Sequence, residues 1–128
     1  MVLIKHVALC MDSKDHARSF YQDLLNAELV KEFEISKSVV KQIFSIDLDQ
    51  EHLTVMVFEN ENLLFEIFIS KKIAQNGLDH VCISVDNLNG FIKQCQSMNI
   101  TVLKIPKNNK TLVFIKDFSG NLFEIKEK

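Results

Sequence analysis

IKHVALCMD, residues 4–12, returns as LDHVCISVD at residues 78–86. Both stretches set one histidine, His6 or His80, among alternating apolar residues and end on an aspartate. A second echo closes each copy, LLFEIF at 63–68 and NLFEIK at 121–126, with Glu66 or Glu124 inside an apolar run. Two long copies are no solenoid, whose repeats are shorter and more numerous. They are duplicated half-domains, and a chain of 128 residues has room for one core that both must share.

The opening strand spans about residues 2–11. Asp12 or Ser13 then caps a helix on which Ala17, Phe20, Tyr21, Leu24 and Leu25 form one apolar stripe. After Asp86, residues Leu88, Phe91, Ile92, Cys95 and Met98 keep the same helical spacing. Strand-like sequence follows each helix, near 29–35, 38–47, 53–58 and 63–69, and again near 101–105, 111–116 and 121–126. Turns are expected at Asp47–Glu51, Glu59–Asn62, Lys107–Lys110 and Asp117–Gly120, with Gly120 suited to positive φ. The polar stretch SKKIAQNGLD, 70–79, joins the halves. Each half therefore reads as βαβββ, in modules of about 1–70 and 78–128 within a single domain, 1–128. The first copy is longer by a strand pair between residues 30 and 52.

Apolar residues make up 47% of the chain and charged ones 25%, the balance of an ordinary globular domain. A net charge of −2, with lysines and acids interspersed, leaves no footprint for nucleic acid or an anionic membrane. No apolar run reaches the length of a bilayer span, and the N-terminus lacks the pattern of a signal peptide. Cys10, Cys82 and Cys95 are odd in number and lack C-x-x-C spacing, which implies reduced thiols in a cytoplasmic protein.

Strand side chains alternate between faces. His6, Ala8 and Cys10 share one face, and Val7, Leu9 and Met11 the other. In the second copy His80, Cys82 and Ser84 oppose Val81, Ile83 and Val85. The bulky face is expected on the helix, and the small residues beside each histidine leave room for a ligand. Phe65, Ile67 and Ile69, and likewise Phe123 and Ile125, form apolar faces that turn Glu66 and Glu124 the other way. A carboxylate among apolar residues is costly unless paired or bound to a cation. Alone, a strand histidine is more often a core or edge residue and a strand glutamate a solvated one. Two matched pairs at matched positions favour a metal site, with His6, Glu66, His80 and Glu124 as ligands of a borderline divalent ion. His16 and His52 have no repeat counterparts and are expected at the surface. Cys10 and Cys82 are expected as small wall residues, and nothing singles out Lys104, Lys116 or Lys126.

HVAL at 6–9, SFYQDLL at 19–25, LLFEIF at 63–68, DHVCISVD at 79–86 and DFSGNLFEI at 117–125 resemble the vicinal oxygen chelate superfamily. That superfamily includes glyoxalase I, methylmalonyl-CoA epimerase, extradiol dioxygenases and bleomycin-resistance proteins. The resemblance implies an α+β fold in which two tandem βαβββ modules form an open, cupped mixed β-sheet with helices outside. Within it, four ligands match the metal-dependent isomerases and epimerases, and the set is closest to glyoxalase I-like proteins. It implies a divalent ion (Ni, Zn, Co or Mn) and a homodimer. The position four after the first histidine, basic in many glyoxalase I proteins, is Cys10 here.

The expectation is a metal-dependent, lactoylglutathione lyase-like isomerase that abstracts a proton next to a carbonyl through an enediolate. Glu124 is the first candidate for the proton-moving group and Glu66 the second. The substrate is either a 2-oxoaldehyde–thiol adduct or, in the alternative reading, a CoA thioester epimerised as in methylmalonyl-CoA epimerase. Glu32 and Glu34 lie near the place where the epimerases carry a further base. The other alternative is a metal-free drug- or metabolite-binding protein of the bleomycin-resistance type.

Overall fold

A computed structural model of the chain describes residues 1–24, 26–61, 63–72, 78–116 and 122–128. It is α+β, with eight strands in mixed β-sheet and three α-helices among those residues. The chain divides into two compact units, His6–Asp79 and a second made of Met1–Lys5 with His80–Lys128. The first five residues thus go with the second module rather than the first. The Met1 ammonium reaches the Asp86 carboxylate at 2.9 Å, and Lys128 Nζ meets the same group at 3.2 Å. These two cations hold the Asp86 carboxyl below the ordinary aspartate range.

The first module runs β1 (Leu3–Met11), α1 (Lys14–Ala17), β2 (Glu28–Ser36), α2 (Lys37–Phe44), β3 (His52–Asn60) and β4 (Leu63–Ile69). Its strands lie in the order β2-β3-β4-β1, antiparallel except for the parallel pair β1·β4. The second runs β5 (His80–Val85), α3 (Leu88–Ser97), β6 (Thr101–Lys107), β7 (Lys110–Lys116) and β8 (Leu122–Glu127), in the order β5-β8-β7-β6. In each module the chain crosses to the far strand through a helix and returns by a meander. The last strand therefore ends parallel to the first, β4 on β1 and β8 on β5.

Ser13 caps α1 by accepting the His16 N–H at 3.1 Å, and the helix continues as a π-helical segment over Arg18–Leu24. Ala17 and Tyr21 from the expected stripe are buried there. The side chains of Phe20 and Leu24, and all of Leu25, lie outside the described residues. Asn26, at φ 56, turns the chain out of the helix. In α3 the cap is Asn87, whose Oδ1 accepts the Gly90 N–H at 3.0 Å. A Cβ at Gly90 would stand 2.9 Å from the Asn87 amide nitrogen, so a larger residue there would have to displace the capping side chain. Ile92 and Cys95 are buried on the helix, and Met98 at its end is exposed.

The stretch 38–47, expected as a strand, is a helix instead. Ser36 accepts the Val39 N–H at 3.2 Å as its N-cap, and Ser45 closes it at φ 60 with its N–H on the Lys41 carbonyl. Val40 and Ile43 at i and i+3 are its buried residues. The β-branched run Val39–Val40 favours a strand locally, but burial of one helical face outweighs propensity. The extra length of the first module is therefore a helix and a loop, not a strand pair. Ser36→Ala should lower stability by about 1 kcal/mol through loss of the cap. Urea unfolding measures this, and an unchanged midpoint would contradict a capped helix at this position.

Helix α2 gives the first module a second core. Ala8, Val55 and Phe68 pack with Val40 and Leu48 on one face of its sheet. Leu9, Met11, Phe65, Ile67 and Ile69 pack with Ala17 and Tyr21 on the other. A register shift between Leu29 and Lys31 lets β2 contribute Leu29 to one face and Phe33 and Ile35 to the other. The second module has one such core, where Ile83, Val85, Val113, Phe123 and Ile125 pack against Leu88, Phe91 and Ile92 of α3. The expected bulky faces are helix-packed, but in the first module α2 also covers the histidine face, so Ala8 and Cys10 lie in core and not beside open space as expected. Asp117–Gly120 and residues 73–77 of the joint lie outside the described residues.

Candidate functional site

Parallel pairing of first and last strands decides what each module can do. In the first, Ala8 stands opposite Glu66, which places His6 and Glu66 diagonally on adjacent strands of one face. In the second, Cys82 stands opposite Glu124, so His80 and Glu124 have the same diagonal relation. The resulting distances agree. His6 Nε2 is 3.6 Å from Glu66 Oε2, and His80 Nε2 is 3.6 Å from Glu124 Oε2. His6, His80 and Glu124 are buried, and the Glu66 side chain is 15% exposed. His80 also meets the edge of Phe114, centroid to centroid at 6.0 Å.

A separation of 3.6 Å exceeds that of a hydrogen bond. It lies close to the spacing of two donors on one ion, about 3.0–3.4 Å for metal–ligand bonds near 2.1 Å. An imidazole nitrogen and a carboxylate oxygen facing each other in a buried place are the donor types a borderline divalent ion takes. Each pair by itself fits half of such a ligand set.

The other residues fall away from this chemistry. His16 Nδ1 lies 2.7 Å from Asp12 Oδ1 at the surface, and that contact holds the Asp12 carboxyl below its usual range. His52 is exposed at the start of β3. Glu32 is engaged by Lys14 at 2.8 Å and Arg18 at 3.7 Å, and Glu34 is exposed on the same strand. Burial pushes the thiols of Cys10 and Cys95 up, which favours their neutral form. Cys82 is fully buried, and none of the three cysteines is in a disulfide. Lys126, to which the sequence assigns no role, has its Nζ 3.6 Å from Glu124 Oε1. The signal for it was its i+2 position on the strand face of Glu124. None of the helices among the described residues is long and apolar enough to cross a membrane.

The profile of the Glyoxalase/Bleomycin resistance protein/Dioxygenase superfamily matches residues 3–125. The chain belongs to this superfamily. Among curated members of known activity, the mitochondrial methylmalonyl-CoA epimerase of Bos taurus is 27% identical over 130 residues, covering 97% of this chain and 73% of the relative. Among solved structures of the superfamily, methylmalonyl-CoA epimerase from Mycobacterium tuberculosis superposes with a TM-score of 0.69 at 18% identity, covering 97% of this chain and 86% of the other. A variant of the Streptomyces coelicolor methylmalonyl-CoA epimerase, in complex with 2-nitronate-propionyl-CoA, gives 0.66 at 14% identity over 98% and 96% of the two chains.

These relatives correct the functional expectation. The lactoylglutathione lyase-like reading rested on a four-ligand pattern that isomerases and epimerases of the superfamily share, so the pattern could not separate them. The curated relatives are methylmalonyl-CoA epimerases, which favours the CoA-thioester alternative over the glyoxalase I-like one.

Proposed function

We propose that this chain is a divalent-metal-dependent epimerase of CoA thioesters, of the methylmalonyl-CoA epimerase kind. The observation that carries the reading is the buried histidine–glutamate pair that recurs in each module with the same register and the same 3.6 Å separation. The full-length likeness to methylmalonyl-CoA epimerases adds the substrate class. In this reading His6, Glu66, His80 and Glu124 hold one ion, each offering one donor atom.

When bound, the ion supplies a Lewis acid for the negative charge that develops on the thioester oxygen. The residues do the rest. Glu124 takes the proton from the carbon next to the thioester carbonyl, and Glu66 is the second carboxylate, assigned to proton delivery on the opposite face. The apolar residues flanking both glutamates, Phe65, Ile67, Phe123 and Ile125, belong to the helix-packed cores and hold the two strands in place. We extend the reading to a homodimer, which sedimentation measures, and to a cytoplasmic setting, consistent with three cysteines that form no disulfide.

The test is one epimer of methylmalonyl-CoA incubated with metal-loaded protein in deuterated water. Conversion to an epimer mixture with deuterium at the reacting carbon is expected. A substrate that keeps its proton and its configuration rejects the reading.

A further inference from the structure

The two modules match at the histidine–glutamate rung and differ at the next. In the first module that next rung is Cys10 opposite Phe68. Phe68 is 2% exposed and meets the edge of Phe44 from α2 at 5.7 Å, so the rung is core. In the second module the same rung is Ser84 opposite Lys126. Among the described residues no helix like α2 stands there, and β6 and β7 are joined directly through Asn108 and Asn109. Where the first module places a phenyl under a helix, the second places a serine opposite a lysine whose ammonium lies beside Glu124.

An ammonium has no use as core filling. The Lys126 side chain is 46% exposed, and its Nζ stands 3.6 Å from Glu124 Oε1, close enough for attraction yet longer than a hydrogen bond. Glu124 turns its other oxygen, Oε2, to His80. A carboxylate that gives its charge to a divalent ion neutralises Lys126 less. The ammonium then faces the site with its charge largely uncompensated and attracts an anion.

We propose that Lys126, paired across the strands with Ser84, is the specificity-determining residue of the site and recognises a carboxylate on the acyl group of the thioester. This rests on the thioester-epimerase reading and deepens it.

Calorimetry of the metal-loaded protein with methylmalonyl-CoA (as the equilibrated epimer mixture) and with propionyl-CoA, which lacks the carboxylate, tests it. The unaltered protein is expected to bind methylmalonyl-CoA at least about tenfold tighter, the scale of one charge-assisted contact. Lys126→Met is expected to abolish that preference by weakening methylmalonyl-CoA alone, and Lys126→Arg to retain most of it. Bound metal, measured in parallel, should stay at the unaltered level in both variants. A Lys126→Met protein that keeps the preference overturns the proposal, as does an unaltered protein with no preference. Either result can coexist with measured epimerisation, so the parent reading survives it. Failure of the unaltered protein to bind either thioester overturns both.

Discussion

Glu124→Gln is expected to fold and to lose about 10²–10⁴-fold of its epimerisation rate. Glutamine keeps the shape and a coordinating oxygen of the side chain but cannot accept the proton. Glu124 is buried between the helix-packed Phe123 and Ile125, so an isosteric change disturbs little packing. The loss should fall on kcat, because proton transfer belongs to the transition state, whereas KM should move little. Proton exchange from methylmalonyl-CoA into deuterated water gives the rate, and circular dichroism checks the fold. Turnover within about tenfold of the unaltered protein would remove Glu124 from the proton-transfer role. Glu66→Gln, measured alongside, then shows whether one carboxylate or two move protons.

His80→Ala should change metal binding more than any other single substitution. The unaltered protein is expected to hold about one divalent ion per chain, and the variant to bind it at least about a hundredfold more weakly, since even supporting residues around a metal cost 10–100-fold. A ligand that binds only the native state also stabilises it, by about 2.7 kcal/mol at a hundred times its Kd. Added nickel, zinc, cobalt or manganese should therefore raise the melting temperature of the unaltered protein and leave the variant near its metal-free value. Elemental analysis of chelator-free protein and thermal melts with and without the ion read both effects. His6→Ala is expected to behave the same way, because His6 holds in its module the place that His80 holds in the other. An unaltered protein that takes up none of these ions would point to the metal-free binding protein instead.

The candidate site was legible because duplication turns weak signals into strong ones. A single strand histidine or glutamate reads as core or surface, but His6 and His80, and Glu66 and Glu124, recur in matched contexts. Strand alternation sorted the faces correctly. Leu9 and Met11 pack with α1, and Ile83 and Val85 with α3, opposite the histidine faces. Chemistry beyond the shared ligand pattern was less legible. Four donors suit more than one reaction of the superfamily, so the choice between a thiol adduct and a CoA thioester had to come from whole-chain likeness.

Residues 38–47 show where local reading stops. Val39 and Val40 favour extended backbone, while Val40 and Ile43 also fit one helical face, and both patterns are present in the same ten residues. The Ser36 cap and burial against Ala8, Leu48 and Phe68 choose the helix. Those core partners come from distant parts of the chain, so only the assembled module supplies them.

Periodicity and repetition act over a few neighbours, and they were enough to mark out two related halves, the faces of their strands and two matched histidine–glutamate pairs as candidate donors. Tertiary structure decided the rest. Parallel closure of β4 on β1 and of β8 on β5 set both histidine–glutamate separations at 3.6 Å. Helix α2 covered one module's inner rung and left Lys126 beside Glu124 in the other. Such pairings join residues far apart in the chain, and their geometry depends on strand register and on what packs above, which no local pattern encodes.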